Sequence, residues 1–285
     1  MAYAATIGFF DGVHRGHRYV LEQLCSLARQ EQLEPLVVSF GQHPISVLQP
    51  DKVLQLLTTK TERVQKLKEI VPQVELFDFE KIHHLTAAGF MQMLHTYHKV
   101  DVLLMGYDHH FGSDGLRRTE DYEQAAATAG VRVVPATELQ HSTHISSTEI
   151  RRFVKAGNIE KANELLGYEY ELSGTVVYGR QIGRTIGFPT ANLQTASEKL
   201  IPASGVYAAI ATVGSNEYKS LLNIGTNPTV EGATQTIETH LVGFSGELYG
   251  QTIRLNIIRR IRDEIKFDSL NDLQTQIEKD KENIQ

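Results

Sequence analysis

The feature that most constrains this chain is a change of hydrophobic period near residue 165. Before it, short apolar runs alternate with longer segments whose apolar residues recur at helical spacing. The pattern predicts strands over Ala4–Phe9, Pro35–Phe40, Gln73–Phe77, Val100–Met105 and Val131–Pro135. Between them it predicts helices over Gly16–Gln30, Lys60–Ile70, Ala87–Tyr97, Thr119–Ala129 and Ser147–Lys155. That order reads as an α/β domain, a mostly parallel sheet with helices on both faces. A short helix over Ala156–Leu166 leads to the boundary. Beyond it, Gly174–Tyr178, Val206–Val213, Lys219–Ile224, Thr236–Phe244 and Thr252–Ile258 are β-rich runs with Gly, Asn and Pro between them. They suggest a small antiparallel β-barrel. Leu270, Leu273 and Ile277 mark one C-terminal helix, and the polar tail Glu278–Gln285 is expected to fray. The expected domains are 1–166 and 167–285.

The size agrees, since 285 residues fit about two domains. Cys25 is the only cysteine, so no internal disulfide can form and a reducing, cytoplasmic setting is expected. No apolar run is long enough for a membrane helix, and no signal-peptide pattern opens the chain. A net charge of −6 argues against general nucleic-acid binding, though not against a local phosphate site.

The densest cluster of chemistry lies at the first strand-to-helix turn, Ile7-Gly8-Phe9-Phe10-Asp11-Gly12-Val13-His14-Arg15-Gly16-His17. Gly8, Gly12 and Gly16 let such a turn run tight against a ligand. Amides at the helix start favour phosphate. His14 and His17, three apart, share a helix face and can stabilise charge developing on phosphate oxygens. The competing reading is a His-x-x-His metal pair, for which no nearby residue clearly completes a ligand set.

Ser147-Thr148-Glu149 opens a later helix, where hydroxyls serve equally as N-caps or phosphate donors, and Arg151 lies one turn on. Gly106-Tyr107-Asp108-His109-His110-Phe111-Gly112 and Phe40-Gly41-Gln42-His43-Pro44 follow predicted strands, where such sheets bind ligands. In the second half, Gly179, Gly183 and Gly187 are spaced by four and read as a flexible flap, with Arg180 and Arg184 available for phosphate. Pro189-Thr190-Ala191-Asn192 follows; Thr190 and Asn192 face one side of an extended backbone, as a turn with polar caps or as oxygen ligands for Mg²⁺. Glu238 and His240 share one strand face, and the carboxylate reads as solvated or as a general base.

The string G-F-F-D-G-V-H-R-G-H resembles the H-x-G-H signature of nucleotidylyltransferases, in the form seen in bacterial bifunctional riboflavin kinase/FAD synthetases. I-S-S-T-E-I-R, G-F-P-T-A-N, N-I-G-T-N-P-T, E-T-H, L-Y-G and I-R-D-E follow in that family's order, so the resemblance spans nearly the whole chain. It implies a Rossmann-like nucleotidylyltransferase domain followed by a riboflavin kinase barrel. It implies two reactions: ATP phosphorylates riboflavin to FMN, then adenylylates FMN to FAD. Glu238 would be the kinase base, and Thr190 and Asn192 would hold Mg²⁺. His14, His17 and Arg151 would act in adenylyl transfer. Gly8, Phe10, Asp11, Gly12, Gly16, Asp108, Ser147, Thr148, Gly179, Arg184, Gly187 and Pro189 would line ATP. His109 and His110 depart from the family's aromatic and basic residues. That departure leaves open a chain with one activity, adenylylation being the one in question. A non-catalytic flavin-binding module and adenylylation of another small substrate are the remaining readings. The expected partners are small molecules, with no nucleic acid and no membrane, on a monomer or weak homo-oligomer.

Overall fold

The computed structural model describes residues 2–106, 110–139, 145–179, 181–229 and 232–284, the side chains at 182, 227–229 and 232–234 excepted. The chain divides into two compact units, Met1–Ser146 and Ser147–Gln285. The two helices before residue 167 therefore pack with the barrel, although their period continues that of the first half.

The first unit runs β1 (Tyr3–Ile7), α1 (Arg15–Gln30), β2 (Glu34–Phe40), α2 (Pro44–Leu48), α3 (Lys60–Lys68), β3 (Gln73–Phe77), α4 (Phe79–Ile82), α5 (Ala87–His98), β4 (Val100–Met105), α6 (Thr119–Ala129) and β5 (Arg132–Pro135). All strand pairs are parallel, in the order β3-β2-β1-β4-β5. Both faces are covered, which is why the strands read as continuous apolar runs. Ala4 and Val37 face a core with Leu21, Leu24 and Leu67 from α1 and α3. Their neighbours Ala5 and Val38 face Phe90, Met91, Leu94 and Tyr122 from α5 and α6. The strand order reverses at β1, so a ligand crevice opens beyond the carboxyl ends of β1 and β4. The glycine- and histidine-rich turn leaves β1 at that point. The short helices α2 and α4 carry too few residues to show a period, and the sequence pattern did not contain them.

The second unit runs α7 (Ser147–Lys155), α8 (Ile159–Leu166), β6 (Tyr170–Val177), α9 (Ile182–Thr185), β7 (Ala191–Thr195), β8 (Gly205–Val213), β9 (Asn216–Thr229), β10 (Gly232–Leu241), β11 (Thr252–Arg262) and α10 (Leu270–Glu282). The strands close a barrel in the order β10-β7-β6-β11-β8-β9, each pair antiparallel. Inward residues alternate along β10, with Ile237, Thr239 and Leu241 buried while Glu238 and His240 turn outward. The closing seam is short: Glu238 faces Asn192 and Thr239 faces Ala191.

One expectation fails. The tail does not fray at Glu278, because α10 continues to Glu282 and buries Asp280. Asp280 accepts from Arg262 Nε at 2.9 Å and Nη2 at 2.8 Å, at the end of β11. A polar tail gave no hint that one of its carboxylates is an ion-pair anchor.

Candidate active sites

In the first unit the turn is held from below. Asp11 is buried, and its carboxylate accepts from Leu57 N–H, Thr58 N–H and the Thr58 hydroxyl at 3.0, 3.0 and 3.1 Å. Gly12 N–H donates to the same hydroxyl at 3.0 Å. These bonds over-determine a backbone that local preference opposes, with Phe10 at φ 57° and β-branched Val13 at φ 37°. The resemblance implies that Asp11 lines ATP. In the structure its carboxylate anchors the turn to the Leu57–Thr58 segment.

His14 caps α1, its Nδ1 accepting from His17 N–H at 3.3 Å. An accepting Nδ1 carries no proton, so Nε2 carries it and is the donor. The two imidazoles stack, with centroids 3.6 Å apart and planes at 18°. The Phe10 ring meets His17 edge-on at 5.2 Å. Burial, and then His14 beside it, hold the His17 pKa well below the ordinary value. His17 Nδ1 is buried with no protein partner. The orphaned His17 nitrogen suits an incoming polyanion that supplies the missing partner. Gly16 gives His14 room, since a Cβ there would sit 3.3 Å from the imidazole and 3.9 Å from the Ile145 carbonyl. A Cβ at Gly8 would meet the Phe10 ring at 2.8 Å. Among the described residues, no group of three or more His, Cys, Asp or Glu is arranged to hold a metal ion. Asp108, His109 and Arg180 lie outside the described residues; His110 is exposed.

Ser147, Thr148 and Arg151 open α7 in the second unit. Glu149, read as a first-turn acid, is bidentate to Arg152, at 3.0 and 2.5 Å.

The barrel gathers Thr190, Asn192 and Glu238 at its closing seam. Thr190 Oγ1 donates to Glu238 Oε2 at 3.2 Å, and Asn192 pairs with Glu238 across β7 and β10. Two cavities share Thr190 as a lining residue. One, of about 270 Å³, is walled by Phe188, Leu221, Ile265, Phe267, Leu273 and Ile277, with Glu238, His240, Asn223, Arg262, Glu264 and Asp280 among its polar groups. The other, of about 350 Å³, is lined by Arg184, Pro189, Thr190, Leu248 and Tyr249 among others. Gly179 lies under the Asn192 carboxamide, where a Cβ would fall 2.3 Å from Nδ2. The expected flap between Gly179 and Gly187 contains a helical turn, α9, before Gly187 turns back at φ 85°.

The sequence reading did not give His240 a role. Its Nδ1–H donates to the Pro189 carbonyl at 2.9 Å, tying the Pro-Thr-Ala-Asn segment to β10, and burial lowers its pKa. The Glu-x-His spacing was the available signal. Arg63 was also missed, because a basic residue on a charged helix reads as solvated; it is buried.

Fold and sites together define a two-domain enzyme of nucleotidyl and phosphoryl transfer. The family model for FAD synthetase matches residues 2–149, and that for riboflavin kinase matches 166–285. The bifunctional riboflavin kinase/FMN adenylyltransferase of Escherichia coli strain K12 is 36% identical, covering 96% of this chain and 89% of that one. The protein so described from Listeria monocytogenes is 34% identical, over 97% and 89%. A crystal structure described as a macrolide-efflux protein from Streptococcus pneumoniae has a TM-score of 0.87 at 34% identity, covering 99% of this chain and 93% of that one. Efflux is what that description says of that protein; among the described residues no helix is long and apolar enough to cross a membrane. The chain belongs to the bifunctional riboflavin kinase/FMN adenylyltransferase family.

Proposed function

We propose the following division of labour for an enzyme that phosphorylates riboflavin and adenylylates FMN. Residues 167–285 carry the kinase and residues 1–166 the adenylyltransferase. The observation that carries the kinase assignment is Thr190, which lines two cavities and bonds Glu238. The apolar cavity under α10 takes the flavin, and the cavity beside Arg184 takes ATP. Glu238 accepts the proton of the terminal ribityl hydroxyl as its oxygen attacks the γ-phosphorus. ADP leaves, and the phosphate ester of FMN remains. A hydroxyl, a carboxamide and a carboxylate are the hard oxygen donors that Mg²⁺ takes alongside water and phosphate. Thr190 donates its proton to Glu238 and keeps lone pairs for such an ion, with Asn192 beside it. Mg²⁺ bound there supplies charge neutralisation at the transferring phosphate. Arg184, Pro189, Gly179 and Gly187 shape the phosphate end of that site.

In the second reaction a phosphate oxygen of FMN attacks the α-phosphorus of another ATP. Pyrophosphate leaves, and FAD forms. FMN is already an anion, so the protein need not supply a base. His14 and His17 donate to the charge that develops on the phosphate oxygens. Gly8, Phe10, Gly12 and Gly16 shape the turn that carries them. Ser147, Thr148 and Arg151, at the start of α7, hold phosphate oxygens. Asp108 completes the nucleotide contacts. The enzyme works in the cytoplasm, as a monomer or weak homo-oligomer, without nucleic acid.

Glu238→Gln tests the assignment. Incubated with riboflavin, ATP and Mg²⁺, the variant makes no FMN, yet it converts supplied FMN to FAD at the wild-type rate. Wild-type phosphorylation in this variant removes Glu238 as the base.

A further inference from the structure

Arg63, on α3, is 1% exposed, and a buried guanidinium is costly unless its surroundings compensate. Its contacts belong to the first active site. Nη2 donates to the Phe40 carbonyl, at the end of β2, at 2.6 Å. The guanidinium lies over the Phe9 ring, 3.8 Å from its centroid, just past the end of β1. Phe9 in turn meets the His43 ring edge-on at 4.4 Å, and its carbonyl accepts from the Ser39 hydroxyl. Asp11, the anchor of the turn, acts on Arg63 through its charge, opposing a burial that brings its pKa down to about 10. Arg63 Nε has no hydrogen-bond partner. The α3 helix that presents the residue is fixed by a capping box between Thr59 and Glu62.

An apolar chain of the same length would serve stability as well, because swapping a buried charge for a packed hydrophobe is often neutral or stabilising. What an apolar chain cannot do is bond one strand end and grip a ring on the next. We propose that Arg63 is a positioning residue for adenylyl transfer: its guanidinium holds Phe9 and the Phe40 carbonyl, and so fixes the mouth of the crevice from which the histidine turn rises. The proposal rests on the assignment of adenylyl transfer to that turn. Arg63 sets geometry and touches no reacting atom, so its loss lowers kcat and leaves substrate affinity nearly intact.

The test uses the full chain, with Arg63→Met and Arg63→Lys. Each is assayed for FAD from FMN, ATP and Mg²⁺, for FMN from riboflavin, and for thermal unfolding. Arg63→Met is expected to unfold within about 3 °C of wild type. Its kcat for FAD is expected to fall at least about tenfold, with KM for ATP and FMN within about threefold and FMN formation unchanged. Arg63→Lys keeps the charge over the ring and recovers part of the rate. A folded Arg63→Met with wild-type kcat overturns the proposal. If Arg63→Met does not fold, Arg63→Lys decides: lowered kcat at unchanged KM supports positioning, and wild-type kcat overturns it. Failure of both to fold makes the role purely structural and also overturns it. The underlying assignment fails separately, through a wild-type chain that makes no FAD, or a His14→Ala, His17→Ala chain that still does.

Discussion

Helix α10 walls the cavity proposed for the flavin through Leu273 and Ile277, yet little apolar burial holds it in place. Leu270 is 55% exposed, and Leu273 and Ile277 are only partly covered. The ion pair therefore does much of the docking. Asp280 accepts from Arg262 through Nε and Nη2 and from Gln276 Nε2 at 2.9 Å, with 3% of its side chain exposed against 17% for Arg262. Asp280→Ala strands a mostly buried guanidinium, a change that costs about 3–5 kcal/mol. Arg262 keeps its bond from Nη1 to the Asp263 carbonyl, which puts the loss near the lower end, about 3 kcal/mol. At 1.4 kcal/mol per decade, the undocked population of α10 rises roughly a hundredfold. Only the docked helix completes the cavity, so apparent affinity falls with the docked fraction. For a helix docked about ten to one, as its thin apolar contact implies, that shift leaves about a tenth of it docked and raises KM for riboflavin about tenfold, with faster amide exchange along α10 and unchanged adenylylation of supplied FMN. Phosphorylation kinetics and hydrogen exchange measure both. Riboflavin KM within about twofold of wild type, with unaltered exchange in α10, refutes the reasoning.

Replacing both His14 and His17 by Ala abolishes FAD formation and spares FMN formation; loss of both products in a folded protein counts against separate sites. Gly179→Ala leaves the fold intact but displaces the Asn192 carboxamide, so KM for Mg-ATP in phosphorylation rises about tenfold while FAD formation holds; an unchanged KM shows that Asn192 swings without consequence. Because the folded pKa of His17 lies below its unfolded value, the unfolded chain takes up the proton first as pH drops. The contribution is present above about pH 6.5 and lost as pH falls below it. Unfolding temperatures at pH 7.5 and 5.5 check this, and His17→Asn should lose less on acidification than wild type; an equal loss points to other groups.

Much of this protein is legible in one dimension, because strand and helix periods repeat over many residues. The strands Gln73–Phe77 and Val100–Met105 and the helix Thr119–Ala129 run as their patterns predict. So does the alternation that turns Glu238 and His240 away from the barrel core. Residue chemistry at short spacing was equally readable: His14 and His17 lie one turn apart, and Thr190 lies two residues from Asn192. Tertiary structure alone decided which distant segments these residues meet. Asp11 carries no local sign that residues 46 and 47 positions away occupy its carboxylate. Thr190 meets Glu238 across 48 residues because a two-residue seam closes the barrel there. Arg63 and Asp280 look like solvated charges in a polar helix, and only packing takes them out of water. Periodicity reports which face of an element is apolar; it does not report what that face is laid against. The charged residues that hold these sites in place are buried by neighbours far away in sequence, and so only the folded chain reveals them.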